Sequence, residues 1–181
     1  AGFSAVAYYF GKDLRAKLGV PVGLIKSAVG GTVAEAWTAK GELERNPVLK
    51  PMLDLQQKRV QDHIEALAAY QKREPDLLKN FEAAVKKAKE AGNRAPRKPK
   101  PPVHPATNKN RPTGLYNGSI APLQPFAIRG AIWYQGESNS ARGEQYRTLF
   151  PAMISSWRSA WGQGDFPFLF VQITPHRGMT P

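Results

Sequence analysis

The sequence predicts an α/β fold in which helices cover both faces of a parallel sheet. Two short apolar runs, 128–135 and 166–174, have the length and composition of buried strands. Between them, aromatic and aliphatic residues recur at helical spacing over 146–161. A strand, a helix and a strand in this order form a βαβ unit, whose two strands lie parallel in one sheet.

The composition limits the class of protein. The chain has 181 residues, of which 41% are hydrophobic and 22% charged, as is typical of a globular domain. No apolar run approaches the roughly 20 residues needed to cross a bilayer. There is no cysteine, and the three histidines lie far apart, without the spacing of metal ligands. We therefore expect no membrane partner, no metal and no cofactor.

The first part of the chain predicts a helix, a strand and a second helix. Apolar residues recur at helical spacing over 3–18, and Gly19 ends the pattern. The apolar run 20–27 predicts a third buried strand. Thr32 and Glu35 form a T-x-x-E capping box, which predicts that the second helix begins there.

Residues 40–113 are expected to form an insertion within a single domain that spans 1–181. Two charged helical patterns, 52–73 and 76–91, meet near Pro75. Because proline breaks or kinks a helix, we expect two helices that fold back on each other as an antiparallel hairpin.

Most of the net charge of +12 lies in this insertion. Residues 50–111 contain 15 Lys or Arg and 7 Asp or Glu, a surplus of eight positive charges. The segment 94–105 has five prolines in twelve residues and predicts an extended arm. A solvated helical face with a basic loop is the simplest interpretation, and binding of nucleic acid or an acidic polymer is the alternative.

The last part of the chain leaves the predicted sheet short of strands. The helical pattern of 146–161 contains Pro151, so that helix either begins near Thr148 or is kinked. Three predicted strands are fewer than the roughly five of most doubly wound sheets. We therefore expect a further strand before Ala1 and a further segment after Pro181.

Two loops are candidates for chemistry, because ligands bind at the carboxyl ends of parallel strands. In the first loop, 27–32, Gly30 and Gly31 leave backbone N–H groups free to hold an oxyanion or a phosphate, and a plain turn into a helix is the alternative. In the second loop, 133–139, an amide, a carboxylate, a hydroxyl and another amide follow a strand within five residues. A structural turn needs fewer such groups.

The second loop suggests roles for two side chains, but the nucleophile and base are not evident. Gln135 is a candidate donor to an oxyanion. Glu137 is interpreted as a general base or as a buried partner that fixes the loop. No G-x-S-x-G motif occurs, and nothing local activates Ser27 or Ser138. His176, after the third strand, is the one histidine near this edge of the predicted sheet.

Five blocks of the sequence resemble the sialate O-acetylesterase family of the SGNH hydrolases. The resemblance implies a three-layer α/β/α sandwich with a parallel sheet, SGNH- or flavodoxin-like, here incomplete and carrying the helical-hairpin insertion. In chain order the blocks are VPVGLIKSAVGGTVAEAWT (20–38), GLYNGSIAPL (114–123), IRGAIWYQGESN (128–139), YRTLFPAMISSWR (146–158) and DFPFLFVQI (165–173).

The resemblance also implies site residues. The family's glycine block falls on Gly30 and Gly31, which implies a backbone donor to the oxyanion. Its QGES/N block falls on the second loop, which implies Gln135, or alternatively Asn139, as the second donor and Glu137 as support.

The reaction implied by the resemblance is metal-free, serine-dependent hydrolysis of a sugar acetyl ester, with an acetylated carbohydrate as substrate. The family's GQSN-type serine turn and its histidine with a preceding aspartate do not occur in this sequence. We therefore expect both to lie outside this chain and the chain alone to be inactive. A bacterial, periplasmic or secreted protein is favoured.

Two other functions are compatible with the residues. One is a non-enzymatic carbohydrate- or nucleic-acid-binding domain that uses the same loops or the basic insertion. The other is a phosphate-binding domain that uses the glycine loop. Nucleic acid is not an expected partner of the esterase.

Overall fold

The structure is a computed structural model that describes residues 2–124 and 126–174. No helix in this part of the chain is long and apolar enough to span a bilayer. Between the main elements lie short 3-10 turns and one π-helical turn, Tyr116–Ile120. The main elements in chain order are α1 (Ala5–Leu18), α2 (Lys40–Arg45), α3 (Lys50–Glu90), β1 (Ala131–Trp133), α4 (Gly143–Trp161) and β2 (Phe168–Phe170).

The predicted βαβ unit is confirmed. Strands β1 and β2 pair in parallel, with Ala131 opposite Phe168 and Trp133 opposite Phe170, and α4 makes the crossover between them. α4 begins at Gly143, well before Thr148, and its first turns continue through Pro151. The site loop 133–139 therefore leaves the carboxyl end of β1 and leads into α4, as expected for a parallel sheet.

The core is built on one face of α4. Its buried residues follow the i, i+3, i+4, i+7, i+8 pattern of an amphipathic helix. This face packs against α2 and the 3-10 turn Ala34–Trp37, where the Trp157 indole N–H donates to the Trp37 carbonyl at 2.8 Å. The buried residues of α4 are Leu149, Ala152, Met153, Ser156 and Trp157.

The prediction of a third strand over residues 20–27 is wrong. The segment forms no regular element, and Val20 and Ile25 are 50% and 56% exposed. A strand needs a neighbour to accept its backbone hydrogen bonds, and the described sheet has only β1 and β2. The α/β class and the parallel pairing therefore stand, whereas a full three-layer sandwich remains a prediction.

The predicted helical hairpin is also wrong, because α3 is one continuous helix of 41 residues that contains Pro75. Proline removes one backbone hydrogen bond, here the one to the carbonyl of Gln71. Both residues are exposed, so water can satisfy that carbonyl. No glycine occurs between residues 50 and 91 to make a turn, and strong helix formers surround the proline.

The proline arm, not a second helix, returns along α3. The helix ends in a Schellman motif, in which Gly92 has φ +66° and the Asn93 N–H donates to the Ala88 carbonyl at 2.8 Å. The arm then reaches His104, whose ring lies 4.8 Å from the ring of His63 in the first half of α3. Eleven residues of polyproline helix span about 35 Å, which matches the length of α3 that they pass.

The arm packs with the period of a polyproline II helix. Every third residue, Pro99, Pro102 and Pro105, is partly buried between exposed neighbours. Polyproline II has three residues per turn, so the three prolines lie on one side of the arm. At the end of the arm, Pro102 and Pro105 lie beside His63 and Ala66 of α3. The insertion is therefore a two-layered projection of one helix and one extended arm.

Replacing Pro75 should stabilise α3 locally. In Pro75→Ala the new backbone N–H can donate to the Gln71 carbonyl, which restores a hydrogen bond worth about 1 kcal/mol and removes the ring clash. Amide hydrogen exchange over residues 71–80 should slow by about fivefold or more. Pro51→Ala is the matched control, since Pro51 lies in the first turn of α3, where no such bond is lost. Equal protection in the two variants would contradict this account of the helix.

Candidate functional site

The two candidate loops meet at one edge of the sheet. The Gln135 side-chain amide donates to the Thr32 carbonyl at 2.9 Å. The Ala34 backbone N–H donates to the Asn139 side-chain oxygen, also at 2.9 Å. These bonds join positions more than 100 residues apart in the sequence, so the loops form one local structure.

The glycine turn is held from the end of the insertion. Gly31 has φ +65°, a conformation that side chains rarely adopt, and a Cβ there would lie 3.3 Å from the Lys109 ammonium. Lys109 donates to the Gly30 carbonyl at 2.6 Å, and the Asn110 amide bridges the Gly31 carbonyl and the Val33 N–H. Within the described residues, the N–H groups of both glycines have no hydrogen-bond partner. Their role as donors to an oxyanion remains a prediction.

Asn139 is the central polar group of the site and is only 3% exposed. Its side-chain oxygen accepts from the Ala34 N–H and from Gln135 Nε2, the latter at 2.7 Å. Its Nδ2 donates to Glu35 Oε2 at 3.0 Å. Three bonds from one buried amide fix both loops relative to each other.

The side chain of Gln135, which the sequence favoured as the oxyanion donor, already has partners for all of its hydrogen-bonding groups. Its two amide hydrogens go to Thr32 and Asn139, and its oxygen accepts from the Tyr146 hydroxyl at 3.1 Å. A donor to an oxyanion needs an uncommitted hydrogen. Asn139, the alternative, retains one that no described residue accepts, so the arrangement favours Asn139 over Gln135.

The predicted capping box does not form. Thr32 Oγ1 donates to the Val29 carbonyl at 2.7 Å and accepts from the Trp37 indole N–H at 3.0 Å. The helix that follows is a single 3-10 turn without a side-chain cap. The spacing T-x-x-E was present in the sequence, but both side chains have stronger partners elsewhere.

Glu35 is instead a buried member of the site, which the sequence analysis missed. It is 6% exposed, and its two carboxylate oxygens bind Arg142 Nη2 at 2.7 Å and Asn139 Nδ2. Charge-assisted bonds of this kind are stronger than neutral ones. One signal was available: Glu35 lies between alanines and beside a tryptophan, in a segment otherwise too apolar for a solvated carboxylate.

Glu137, expected as a buried partner of the loop, is exposed, as is Ser138. The 3-10 turn Glu137–Arg142 points both side chains outward, and Asn139 is its buried residue. Holding the second loop therefore falls to Asn139 and Glu35, and the expectation of a buried Glu137 is corrected. A role for Glu137 as a general base remains a prediction.

A cleft of about 250 Å³ lies beside the second loop, between the end of the sheet and α4. Tyr146 is part of its wall, and burial, helped by the negative charge of Glu137, raises the pKa of its phenol. The nearby Trp133 indole opposes this rise in pKa by more than Glu137 adds to it, although its N–H is buried and has no hydrogen-bond partner among the described residues. Other lining residues are Gln135, Gly136, Asn139, Phe150 and Phe170.

No nucleophile and base pair is assembled in the described part of the chain. The Ser27 hydroxyl donates to the Ser119 carbonyl at 3.2 Å, and His63 and His104 face each other on the insertion. His176 lies outside the described residues. No group of three or more metal-ligating side chains is found among those that the structure describes.

The chain is similar in sequence to known carbohydrate esterases. The family described as carbohydrate esterase, sialic acid-specific acetylesterase, matches residues 108–180. The sialate O-acetylesterase of Mus musculus is 31% identical over 96% of this chain, and that of Rattus norvegicus is 30% identical over the same share. That of Homo sapiens is 27% identical over 94% of the chain.

The resemblance to the sialate O-acetylesterase family is confirmed. This family consists of esterases that act on carbohydrate esters. The chain spans 30% of the length of the two rodent relatives and 25% of the human one. These relatives are mammalian, so they give no support to a bacterial source.

Removing the Glu35 carboxylate should destabilise the fold. Glu35→Ala leaves Asn139 Nδ2 buried without an acceptor and Arg142 without its partner, at a cost of about 2–4 kcal/mol. Urea unfolding measures the loss. Glu144→Ala is the matched control, because Glu144 is 81% exposed and its ion pair with Arg147 is worth under about 0.5 kcal/mol. A similar small loss in both variants would remove Glu35 from the supporting network.

Proposed function

We propose that this chain is the oxyanion-binding part of a carbohydrate O-acetylesterase that hydrolyses sugar acetyl esters with a serine nucleophile. The observation that carries the proposal is the junction of the two loops through Asn139. Within the described residues, the N–H groups of Gly30 and Gly31 in the first loop have no hydrogen-bond partner. Uncharged donors that are directed at one acyl oxygen stabilise the negative charge that develops on it. The names of the relatives favour an acetylated sialic acid as the substrate.

In the proposed reaction a serine hydroxyl attacks the acetyl carbonyl, and its proton passes to a histidine. The carbonyl oxygen becomes an oxyanion, which the Gly31 N–H and the remaining Asn139 amide hydrogen bind. The C–O bond to the sugar then breaks, and the histidine returns the proton to the sugar oxygen. Water cleaves the acetyl-serine by the same steps and releases acetate.

The serine and histidine are proposed to lie outside this chain. In the described residues, the histidines pair with each other on the insertion, and no serine of the two loops contacts a base. Glu35 and Arg142 are then positioning residues. They hold the Asn139 amide plane, so that its free hydrogen keeps one direction while charge develops.

Catalysis should need more than these 181 residues. The chain alone should hydrolyse p-nitrophenyl acetate no faster than buffer, whereas a longer natural polypeptide that includes flanking serine and histidine segments should turn it over. Release of nitrophenolate is the measurement. Robust turnover by the chain alone, abolished by Ser27→Ala or Ser138→Ala, would place the nucleophile within these 181 residues. It would overturn the proposal that the serine lies outside this chain.

Two variants of the active longer protein separate the candidate donors. Asn139→Ala should lower kcat by roughly 10²-fold or more, because a direct oxyanion donor is lost. Gln135→Ala should lower kcat less, because Gln135 only positions Asn139. KM and the thermal unfolding midpoint, recorded in parallel, separate a catalytic effect from a general loss of structure.

Gln163→Ala is the matched control for these variants. Its side-chain amide also makes two bonds to backbone, both to Ile128, but lies at the opposite end of α4 from the loops. Its kcat should be unchanged. A larger loss for Gln135→Ala than for Asn139→Ala would make Gln135 the donor, and unchanged rates for both would remove the oxyanion role of this loop.

A further inference from the structure

The far end of the insertion concentrates unpaired positive charge. We call residues 86–100 the basic tip: they include seven Lys or Arg and one acidic residue, Glu90. All seven cations are exposed, and none forms an ion pair with another described residue. The first half of α3 differs, since Lys50 and Lys58 pair with Asp54 and Asp62 at 2.7 and 2.8 Å.

The basic tip is too distant to act on a small substrate at the site. α3 is anchored in the core by Leu49 and Met52, and its 41 residues extend about 60 Å from there. Exposed charges are screened over roughly 8–10 Å at physiological salt. The field of the tip therefore does not reach the two loops, and its charge acts only on a large partner that touches it.

The tip presents its cations in an ordered row. In a polyproline II helix every third residue has the same direction, with a repeat of about 9 Å. Pro99, Pro102 and Pro105 occupy the half-buried side, and Pro102 and Pro105 lie beside α3. Arg94, Arg97 and Lys100 follow the same period on a different side, which is exposed. Because the arm packs on α3, little chain entropy is lost when a ligand binds this row.

The side chains of the tip leave charge as the main means of recognition. Residues 86–100 contain no aromatic residue on which a nucleobase could stack. They contain no large aliphatic residue either, so nothing would insert into a lipid bilayer. Charge alone also attracts nucleic-acid phosphates and anionic lipid headgroups. The proposed function favours, over both, a flexible polyanion with carboxylate or sulfate groups along it.

We propose that the basic tip binds an acidic polysaccharide and tethers the enzyme to it, while the two loops act on acetyl groups of the same glycan. The choice of a glycan over other polyanions rests on the proposed function. The binding itself depends on neither the serine nor the oxyanion donors.

The test measures binding and not hydrolysis. Labelled linear polysialic acid is titrated with the 181-residue chain and followed by fluorescence anisotropy at about 50 and 200 mM salt. Neutral dextran, a mixed-sequence single-stranded oligonucleotide and vesicles containing phosphatidylserine are the comparison probes. Polysialic acid should bind most tightly, and its affinity should fall at least about tenfold between the two salt concentrations.

A charge-matched pair of variants tests whether the basic tip is the surface that binds polysialic acid. The tip variant carries Gln at four exposed positions of the tip and should bind polysialic acid at least about tenfold more weakly. The control carries Gln at four exposed positions elsewhere and should bind within about twofold of the unmodified chain. Circular dichroism verifies that both keep their helix content. The four tip positions are Lys86, Lys87, Arg97 and Lys98, and the four control positions are Lys12, Lys17, Arg129 and Arg147.

Four results would overturn the proposal: no binding of polysialic acid, equal binding of dextran, tighter binding of the oligonucleotide or the vesicles, and equal losses in the two variants. Failure of the proposed function gives a different result. The longer protein would then hydrolyse no acetyl ester, while binding of polysialic acid and its dependence on the tip would persist.

Discussion

The site depends on one buried amide, that of Asn139. It joins a loop after β1 to a loop more than 100 residues earlier through Ala34, Glu35 and Gln135. Burying an amide without hydrogen-bond partners would cost several kcal/mol in folding free energy. The buried position of Asn139 therefore requires that both loops supply partners for its side chain. The burial of Glu35 and the bonds of the Gln135 side chain are consistent with that requirement.

Sequence periodicity predicted the elements whose partners are local. β1, α4 and β2 follow one another closely, and their apolar patterns alone specified a parallel pair with a helical crossover. The run 20–27 has the same apolar character, yet it forms no strand, because pairing is decided by a neighbour and not by the run itself. Pro75 led to the wrong prediction of a break between two helices. A single proline in an exposed, glycine-free helix costs one hydrogen bond and does not reverse the chain.

The position of the site was predictable, but the roles of its side chains were not. The second loop leaves the carboxyl end of β1, as parallel topology predicts, whereas the first loop follows no strand and is held beside it by hydrogen bonds with Asn139 and Gln135. Glu137 was expected to be the buried carboxylate that holds the loop, but it is exposed. Glu35 is the buried carboxylate instead. Short-range spacing identified Glu35 as a helix cap, whereas its partners, Asn139 and Arg142, lie over 100 residues away. Such contacts leave no periodic trace in a sequence.

The insertion is not separable from the site. Its last residues, Lys109 and Asn110, hold the carbonyls of Gly30 and Gly31, and the Thr113 N–H donates to the Glu35 carbonyl at 2.9 Å. A glycine turn has little conformational preference of its own, so these bonds fix the direction of its free N–H groups. The segment from Lys109 to Thr113 is therefore part of the contacts that hold the first loop, and the bounds 40–113 of the insertion remain a prediction. We expect that the projection of α3 and the proline arm can vary in length or charge without moving the glycine turn, provided that this short return segment is kept.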